Sequence, residues 1–263
     1  MSVSIIWKLS EKEKENQITF ENIREQIAEN KQSVQILIYA NACDNGKKYG
    51  SGLEQTGAKT QLCAYEGTDT EIYADAQEKV TGSLVTFLYG GDRLSQGTFA
   101  EVEKSADTYP EYNIFMLRKK MPDGTYGAFA TDPASKKILV INLLKKYYCH
   151  PFYFGGTFLT SSFFKKNSFH QELGMETERE YFLRVAASQQ SIVFFNHLIY
   201  DCSRAQEGDF TFFEGIYEED WYGKSFTQFW VPCRDETKIW NGSYVCTISF
   251  HVYGQKPYCK QFK

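Results

Sequence analysis

The sequence predicts an α/β fold with a mostly parallel sheet and helices on both faces of that sheet. Strand-like apolar runs alternate with helical patterns of about ten residues through the first part of the chain, which is typical of βαβ crossovers. The run "SLVTFLY" is apolar without alternation, as expected for a strand that is covered on both faces. After residue 205 the pattern becomes aromatic and strand-like, which predicts a β-rich C-terminal extension.

The predicted elements follow in order from the N-terminus. "SVSIIWKL" predicts the first strand, and "TFENIREQIAEN" predicts a helix with Thr19 as its N-cap. "SVQILIYAN" and "TQLCAYE" predict the second and third strands. "DTEIYADAQEKVTG" predicts a helix that Gly82 terminates. "SLVTFLY" then predicts the next strand, and "GTFAEVEKSAD" the helix after it.

The second half of the chain is richer in strand-like runs. "YNIFMLRKKMPDGTYGAFATDPASKKILVINLL" predicts two strands around a Pro-Asp-Gly turn, and "METEREYFLRVAASQ" predicts a helix. "DFTFFEGIY", "SFTQFWVPC" and "GSYVCTISFHVYG" predict further strands. We divide the chain into a domain of residues 1–205 and an extension of residues 206–263 that packs on it. An extension of about fifty residues has too little interior to hold a core of its own.

Composition and charge exclude several classes of function. The 263 residues carry a net charge of −4 without a basic block, so we expect no nucleic-acid partner. No apolar run approaches the roughly 20 residues of a transmembrane helix, and the first residues lack the basic n-region of a secretory signal. The seven cysteines show no zinc spacing and are expected to be free thiols in a reducing cytoplasm. The 16% aromatic content suits a sugar-stacking surface, and it suits a core or an interface equally well.

The segment "LYGGD" at the end of the strand "SLVTFLY" is the first candidate site. Ligands of open α/β sheets bind beyond the carboxyl ends of the strands. Gly90 and Gly91 remove side chains where a ligand could approach the backbone, and Asp92 offers a carboxylate. The same residue types are also typical of a simple turn, so the sequence leaves both interpretations open.

The order of these elements resembles that of the family 2 glycosyltransferases, which have the GT-A fold, and it is nearest in style to the bacterial teichoic-acid and capsule enzymes. "GGTFLTSSFFKKNSFHQELGMETEREYFLRVA" is similar to the acceptor segment of the family, and the resemblance covers residues 2–205. The family pattern G-x-[YF]-[IV]-x-F-L-D-x-D-D is matched at five positions: Gly82, Val85, Phe87, Leu88 and Asp92.

The resemblance implies a metal-dependent, inverting glycosyltransferase with a nucleotide-sugar donor and a cell-surface glycan or polyol-phosphate acceptor. Asp92 would hold Mn²⁺ or Mg²⁺, and Glu178 would be the catalytic base. Four residues would contact the donor: Asn41, Gly90, Gly91 and Arg204. The resemblance also implies a cytoplasmic protein that acts at the inner face of the membrane through peripheral association.

The sequence departs from the family pattern at four motifs that bind the donor or catalyse the transfer, and these departures leave an alternative function open. Lys8–Glu11 replace a Pro-x-Tyr/Phe-Asn motif, and the acid that reads the nucleobase falls on Ala40 or Asn41. The Asp-x-Asp motif falls on Tyr89-Gly90-Gly91, and the catalytic Glu-Asp pair falls on Glu178-Arg179, where residues 177–180 also fit a capping box. The alternative is therefore a catalytically inactive glycosyltransferase-like module that binds or assembles within a larger surface-polysaccharide enzyme. Weak nucleotide binding is expected in either case.

Overall fold

The computed structural model describes residues 2–29, 33–41, 43–65, 68–124, 126, 138–142, 154–169, 178, 181–182, 184–185 and 191–203, together with five strands beyond residue 228. The chain divides into two compact units, residues 1–205 and residues 206–263. No helix among the described residues is long and apolar enough to cross a membrane.

The first half of the larger unit alternates strands and helices, as the sequence predicts. Its elements are β1 (Val3–Lys8), α1 (Glu13–Glu29), β2 (Val34–Ala40), α2 (Cys43–Glu54), β3 (Lys59–Ala64), α3 (Asp69–Lys79), β4 (Leu84–Tyr89), β5 (Arg93–Leu94) and α4 (Thr98–Thr108). The four predicted strands and the helices α1, α3 and α4 are confirmed, whereas α2 and the short β5 were not predicted.

The second half of the larger unit completes the sheet. Its elements are β6 (Ile114–Lys120), β7 (Ile138–Asn142), β8 (Thr157–Thr160), α5 (Ser161–Lys166) and β9 (Ser191–Asp201). The two strands around the Pro-Asp-Gly turn are confirmed as β6 and β7. Glu178, Tyr181, Phe182, Arg184 and Val185 have helical backbone, in agreement with the helix predicted there.

The smaller unit contains short strands only among its described residues. These are β10 (Phe229–Pro232), β11 (Lys238–Trp240), β12 (Ser243–Val245), β13 (Thr247–His251) and β14 (Tyr258–Gln261). β10, β13 and β14 form one antiparallel sheet, and β11 pairs with β12. The described part of the extension is therefore β-rich, as predicted. The predicted strand "DFTFFEGIY" lies outside the described residues.

The sheet of the larger unit has nine strands in the order β3-β2-β1-β4-β8-β6-β9-β5, with β7 added on β9. β1 is parallel to β2 and β4, and β6 is parallel to β9. β8 is antiparallel to both β4 and β6, so that β1, β2, β3, β4, β6 and β9 all run in one direction. The carboxyl ends of these six strands lie at one edge of the sheet, which we call the carboxyl edge.

Helices cover both faces of this sheet, which explains the apolar run of β4. Every residue of β4 is buried between β1 and β8. On one face, Trp7 and its neighbours in the core pack with apolar side chains of α1, α2 and α4, such as Ile23, Leu53 and Val102. On the other face, Phe87 contacts Tyr73 of α3 and Phe164 of α5, with ring centroids 5.4 and 5.6 Å apart.

Two predicted helix boundaries are wrong. α1 begins at Glu13, so Thr19 lies inside the helix, where its hydroxyl donates to the backbone oxygens of Tyr89 and Asp92 instead of capping. α3 ends at Lys79 with Val80 as its C-cap, so Gly82 does not terminate it. Gly82 is required for close packing instead, because a Cβ atom there would lie 2.7 Å from the backbone nitrogen of Ser4.

Candidate functional site

The predicted site residues that the structure describes gather at the carboxyl edge. Asn41 follows β2, the corner Gly90-Gly91-Asp92 follows β4, and Glu178 contacts Tyr89 at the end of β4. Asp92 and Glu178 therefore lie close to each other, since each accepts a hydrogen bond from Tyr89. Arg204, the remaining predicted donor contact, lies outside the described residues.

Asp92 is fully buried, and protein donors occupy both of its carboxylate oxygens. Oδ1 accepts hydrogen bonds from the backbone nitrogen of Ser203 at 3.0 Å and from its hydroxyl at 2.7 Å. Oδ2 accepts from the backbone nitrogen of Tyr89 at 2.8 Å and from the hydroxyl of Tyr200. Burial raises the pKa of Asp92, although these hydrogen bonds act in the opposite direction. The carboxylate therefore joins the end of β4 to residues 200–203.

This geometry does not fit the metal role that the sequence suggested for Asp92. A hard divalent cation needs oxygen ligands with available lone pairs, and it prefers several of them. The carboxylate of Asp92 already serves four donors and has no surface exposed to solvent. Among the residues that the structure describes, no group of three or more His, Cys, Asp or Glu side chains could hold a metal ion. We therefore assign no chemical step to a metal.

The glycines of the corner are packed against the protein itself. A Cβ atom on Gly90 would lie 2.6 Å from the Cβ of Ser10, and one on Gly91 would lie 2.5 Å from the Cβ of Ser203. The backbone nitrogen of Gly91 donates to the hydroxyl of Thr19 at 2.8 Å. Gly91 also has a φ of +97°, which an L side chain rarely adopts. The space that the sequence offered to a ligand is thus occupied by protein atoms.

Glu178 is nearly buried, with 9% of its surface exposed, and it lies beneath two tyrosines. Its Oε1 accepts hydrogen bonds from the hydroxyls of Tyr73 and Tyr89, the latter at 2.9 Å, and its Oε2 accepts from the backbone nitrogen of Phe154 at 2.9 Å. The two tyrosine oxygens lie 2.7 Å apart. Burial, followed by the charge of Glu178, raises the pKa of Tyr73 well above its ordinary value. The capping box involves Thr177 and Glu180, which lie outside the described residues.

Tyr89 connects the two predicted acids and was not singled out from the sequence. Its backbone nitrogen donates to Asp92, and its hydroxyl donates to Glu178. Tyr89 stands at a position where the resemblance places part of the Asp-x-Asp motif, so an aromatic hydroxyl replaces a charge at the end of β4. Its place at the end of an apolar run is typical of a core residue, so nothing in the sequence indicated its hydrogen bond to Glu178.

Lys119 is a second residue that the sequence did not reveal. It is half-buried near the end of β6, and it is the register partner of Tyr200 on β9. Burial lowers the pKa of Lys119 to about 8, while the nearby groups of Cys202, Glu178 and Asp92 act to raise it. The run "RKK" at a strand end is typical of a solvated surface, and for that reason its position among buried acids could not be foreseen.

The part of the carboxyl edge beside β1 and β2 contains a lysine, an acid and a tyrosine. Lys8 at the end of β1 forms an ion pair with Asp69 of α3, and its Nζ lies 5.5 Å from the ring centroid of Tyr65. Beside this pair lies a small pocket between β1, β4 and α3, which has room for about one water molecule. Asn41 is exposed at the same edge, where its side chain is available for contacts.

The sequence matches no protein-family model and has no match among curated proteins. Solved structures do match. S. aureus TarS 1–349 in complex with UDP-GlcNAc superposes with a TM-score of 0.61 at 13% identity, over 80% of this chain and 60% of that chain. A longer S. aureus TarS structure gives 0.60 at 12%, over 78% of this chain and 37% of that chain. The mannosyltransferase PcManGT from Pyrobaculum calidifontis, in complex with GDP-Man and Mn²⁺, gives 0.52 at 10%, over 79% of this chain and 58% of that chain.

These likenesses concern the fold, because the identities are only 10–13%. They confirm the predicted GT-A-like architecture of the larger unit. The chain spans 37–60% of the length of the TarS chains it matches.

Proposed function

We propose that this chain, which has a GT-A-like glycosyltransferase fold, transfers a sugar from a nucleotide-sugar donor to a cell-surface glycan or polyol-phosphate acceptor. The observation that carries the proposal is the position of Glu178, a buried carboxylate at the carboxyl edge, beside the end of β4. Ligands of open α/β sheets bind at this edge. The complexes of TarS with UDP-GlcNAc and of PcManGT with GDP-Man support a nucleotide sugar as the donor class.

Glu178 would be the base of an inverting displacement. As the acceptor hydroxyl attacks the anomeric carbon, its proton passes to the carboxylate and the nucleoside diphosphate leaves with the electrons of the broken bond. In the structure, Oε1 of Glu178 accepts from Tyr73 and Tyr89. The acceptor hydroxyl would therefore replace one tyrosine hydroxyl at Oε1 or use the second lone pair of Oε2, whose other lone pair accepts from the Phe154 nitrogen.

The test is a measurement of nucleoside diphosphate release from UDP-, GDP-, CDP- and dTDP-sugars, with and without Mn²⁺, in the presence of mixed glycan and polyol-phosphate acceptors. We expect turnover with at least one donor, and we expect Glu178→Gln to lower it by about 10²–10⁴-fold, the usual effect of removing a general base. Glu25→Gln, at an exposed position of α1, is the matched control and should keep the wild-type rate. Equal rates for both variants would remove Glu178 from the mechanism.

A second candidate, the catalytically inactive glycosyltransferase-like module, is favoured by one specific observation. The carboxylate of Asp92 is saturated by four protein donors, and that of Glu178 is shared by three. Both carboxylates have hydrogen-bond donors from the protein itself, so neither needs a ligand, as expected for acids that stabilise the fold. Binding of a nucleotide sugar without release of nucleoside diphosphate under any condition would support this module.

A further inference from the structure

We infer that the ring of Tyr126, covered on one face by the guanidinium of Arg118, stacks on a sugar ring of the acceptor. The acceptor is then a glycan built of ring sugars and not a polyol phosphate. This inference rests on the proposed function, because it specifies the acceptor class of the same transfer. It follows from the exposure of Tyr126, from its contact with Arg118, and from the position of this pair relative to Glu178.

Tyr126 is an exposed aromatic residue that the backbone holds beside the end of β6. In the turn after this strand, the backbone nitrogen of Gly124 donates to the backbone oxygen of Met121 at 2.8 Å. The chain then returns along β6, where Tyr126 forms an antiparallel bridge with Lys120. Tyr126 is nevertheless 42% exposed. A single exposed aromatic residue is ordinary, so its surroundings decide whether it can serve a ligand.

Arg118 lies over the ring of Tyr126, with its Cζ 4.1 Å from the ring centroid. This cation–π contact holds the ring and covers one face, which leaves the other face and the edge exposed. Among the described residues no acid pairs with Arg118, and its Nε has no hydrogen-bond partner. Its guanidinium can therefore donate to the hydroxyl groups of a ligand.

A tyrosine ring beside a guanidinium suits a ring sugar in two ways. The aromatic face is electron-rich, so it attracts the C–H groups on the flat face of a pyranose. The guanidinium N–H groups can donate to the hydroxyl oxygens at the rim of the same sugar. A polyol phosphate is an open chain without a flat C–H face, and its charged groups would select cations instead of a ring.

The strand register places Arg118 level with the end of β4. Phe158 of β8 is paired with Thr86 of β4 on one side and with Phe115 of β6 on the other. Three residues further along the two parallel strands are Tyr89 and Arg118. Because one strand separates them, their backbones lie about 10 Å apart across the sheet, or two strand spacings.

Arg118 and Glu178 also lie on the same face of the sheet. Phe87 and Tyr89 share one face of β4, and Phe87 packs there against α3 and α5. The hydroxyl of Tyr89 donates to Glu178, which places Glu178 on this face. Leu117 belongs to the core on the opposite face, so the next residue, Arg118, is directed to the face of Glu178. Neighbouring rings of one oligosaccharide can bridge the separation.

The binding experiment uses calorimetry on the full chain with cellotetraose, chitotetraose, maltotetraose, mannotetraose, glycerol phosphate and ribitol phosphate. We expect at least one tetrasaccharide to bind, and Tyr126→Ala to weaken its binding about 10–100-fold, as loss of a stacking aromatic does. Tyr126→Phe should keep the affinity, because stacking uses the ring and not the hydroxyl. The control is Val140→Ala, which changes a 50% exposed residue of β7 that pairs with the first half of β9. Thermal unfolding verifies that each variant is folded.

Kinetics with a nucleotide-sugar donor give a second measurement. Tyr126→Ala should raise the KM for the acceptor and leave kcat unchanged, because stacking is equally strong before and during the transfer. Loss of the base in Glu178→Gln should lower kcat instead.

The outcomes separate this inference from the proposed function. Tetrasaccharide binding that needs Tyr126, without release of nucleoside diphosphate from any donor, would support the stacking site and remove the transfer reaction. Transfer to a tetrasaccharide that is equal in Tyr126→Ala and Val140→Ala would overturn the stacking site and leave the proposed function intact. Binding or transfer with the polyol phosphates alone would also overturn it. If Tyr126→Ala does not fold, Tyr126→Leu replaces it. No binding and no transfer with any of these compounds would overturn both.

Discussion

Asp92 accepts hydrogen bonds from four donors of three residues, and a structural role predicts a large effect of its removal. Asp92→Ala would remove the acceptor of the buried Tyr200 hydroxyl and of the backbone nitrogens of Tyr89 and Ser203, whereas the Ser203 hydroxyl would keep the carbonyl of Gly90. Because an unsatisfied buried donor costs about 1–3 kcal/mol, we expect the free energy of unfolding to fall by about 3 kcal/mol or more. Urea denaturation measures this change.

The control for this prediction is Asp107→Ala. Asp107 is exposed on α4, and its removal should change the free energy of unfolding by less than about 0.5 kcal/mol. A loss below about 1 kcal/mol for Asp92→Ala would contradict the structural role, and it would reopen the interpretation of Asp92 as a ligand-binding residue.

Lys119 predicts a specific dependence of stability on pH. Its pKa is lowered from 10.5 to about 8 in the folded protein, mainly by burial. Between these values the unfolded chain binds a proton at Lys119 and the folded protein does not, so the free energy of unfolding should rise with pH in this window. The groups that influence Lys119 are Cys202, Glu178 and Asp92, and all of them are unchanged in Lys119→Met.

The measurement is therefore a comparison of wild type and Lys119→Met by urea denaturation between about pH 7.5 and pH 10, the range around the two pKa values. We expect the wild type to gain stability relative to the variant as the pH rises. A constant difference across the range would show that the lysine has an ordinary pKa.

The sequence singled out Asp92 and Glu178 as candidate site residues, but it could not predict which donors their carboxylates accept hydrogen bonds from. Tyr200 and Ser203 follow Asp92 by 108 and 111 residues, and Tyr73 precedes Glu178 by 105. Hydrogen bonds of this kind depend on which strand ends meet at the carboxyl edge. No local pattern around Asp92 records that arrangement, which made its carboxylate look available to a metal.

We expect substitution of two glycines, Gly91 after β4 and Gly97 before α4, to lower the free energy of unfolding by different amounts. Gly91 and Gly97 both have positive φ, +97° and +73°, but a Cβ atom on Gly91 would collide with Ser203, whereas Gly97 has open space. Gly97→Ala should therefore lose only the backbone term, about 1–2 kcal/mol. Gly91→Ala should lose that amount and a further 1–3 kcal/mol or so for overpacking.

Chemical denaturation of the two variants tests this prediction. Equal losses would show that the loop of Ser203 moves aside without penalty. In that case the corner would have room for a ligand after all, and its interpretation as part of a donor site would regain support.

At the level of elements, the sequence predicted the strands of the first half well because apolar runs record burial directly. It missed α2 because Gly46, Gly50 and Gly52 lower helix propensity. Glycine at one of these positions allows close packing, because a Cβ atom on Gly52 would lie 2.7 Å from the ring of Phe20 in α1. The helix therefore forms despite its low intrinsic propensity. β9 was also missed, although the run "SIVFF" has the β-branched and aromatic character of a strand.

For the whole molecule, the extension of residues 206–263 remains a prediction as a packed appendage. If the extension packs on the first unit as predicted, a chain that ends at Gln206 should expose apolar surface, unfold at a lower urea concentration than the full chain and be less soluble. Comparison of the two chains by urea denaturation and by size-exclusion chromatography measures this. Equal stability and solubility would show that residues 1–206 form a complete domain.

The hydrogen bonds of Asp92 also have a consequence for the order of folding. β1 to β4 are complete once Tyr89 has been synthesised, and they can pair in parallel from that point. The partners of Asp92 in β9 and after it emerge more than a hundred residues later. At the usual rate of about 5–20 residues per second, Asp92 is synthesised several seconds before its donors Tyr200 and Ser203. Until then only the Tyr89 nitrogen and water can donate to the carboxylate, so we expect the corner after β4 to close only when β9 joins β6.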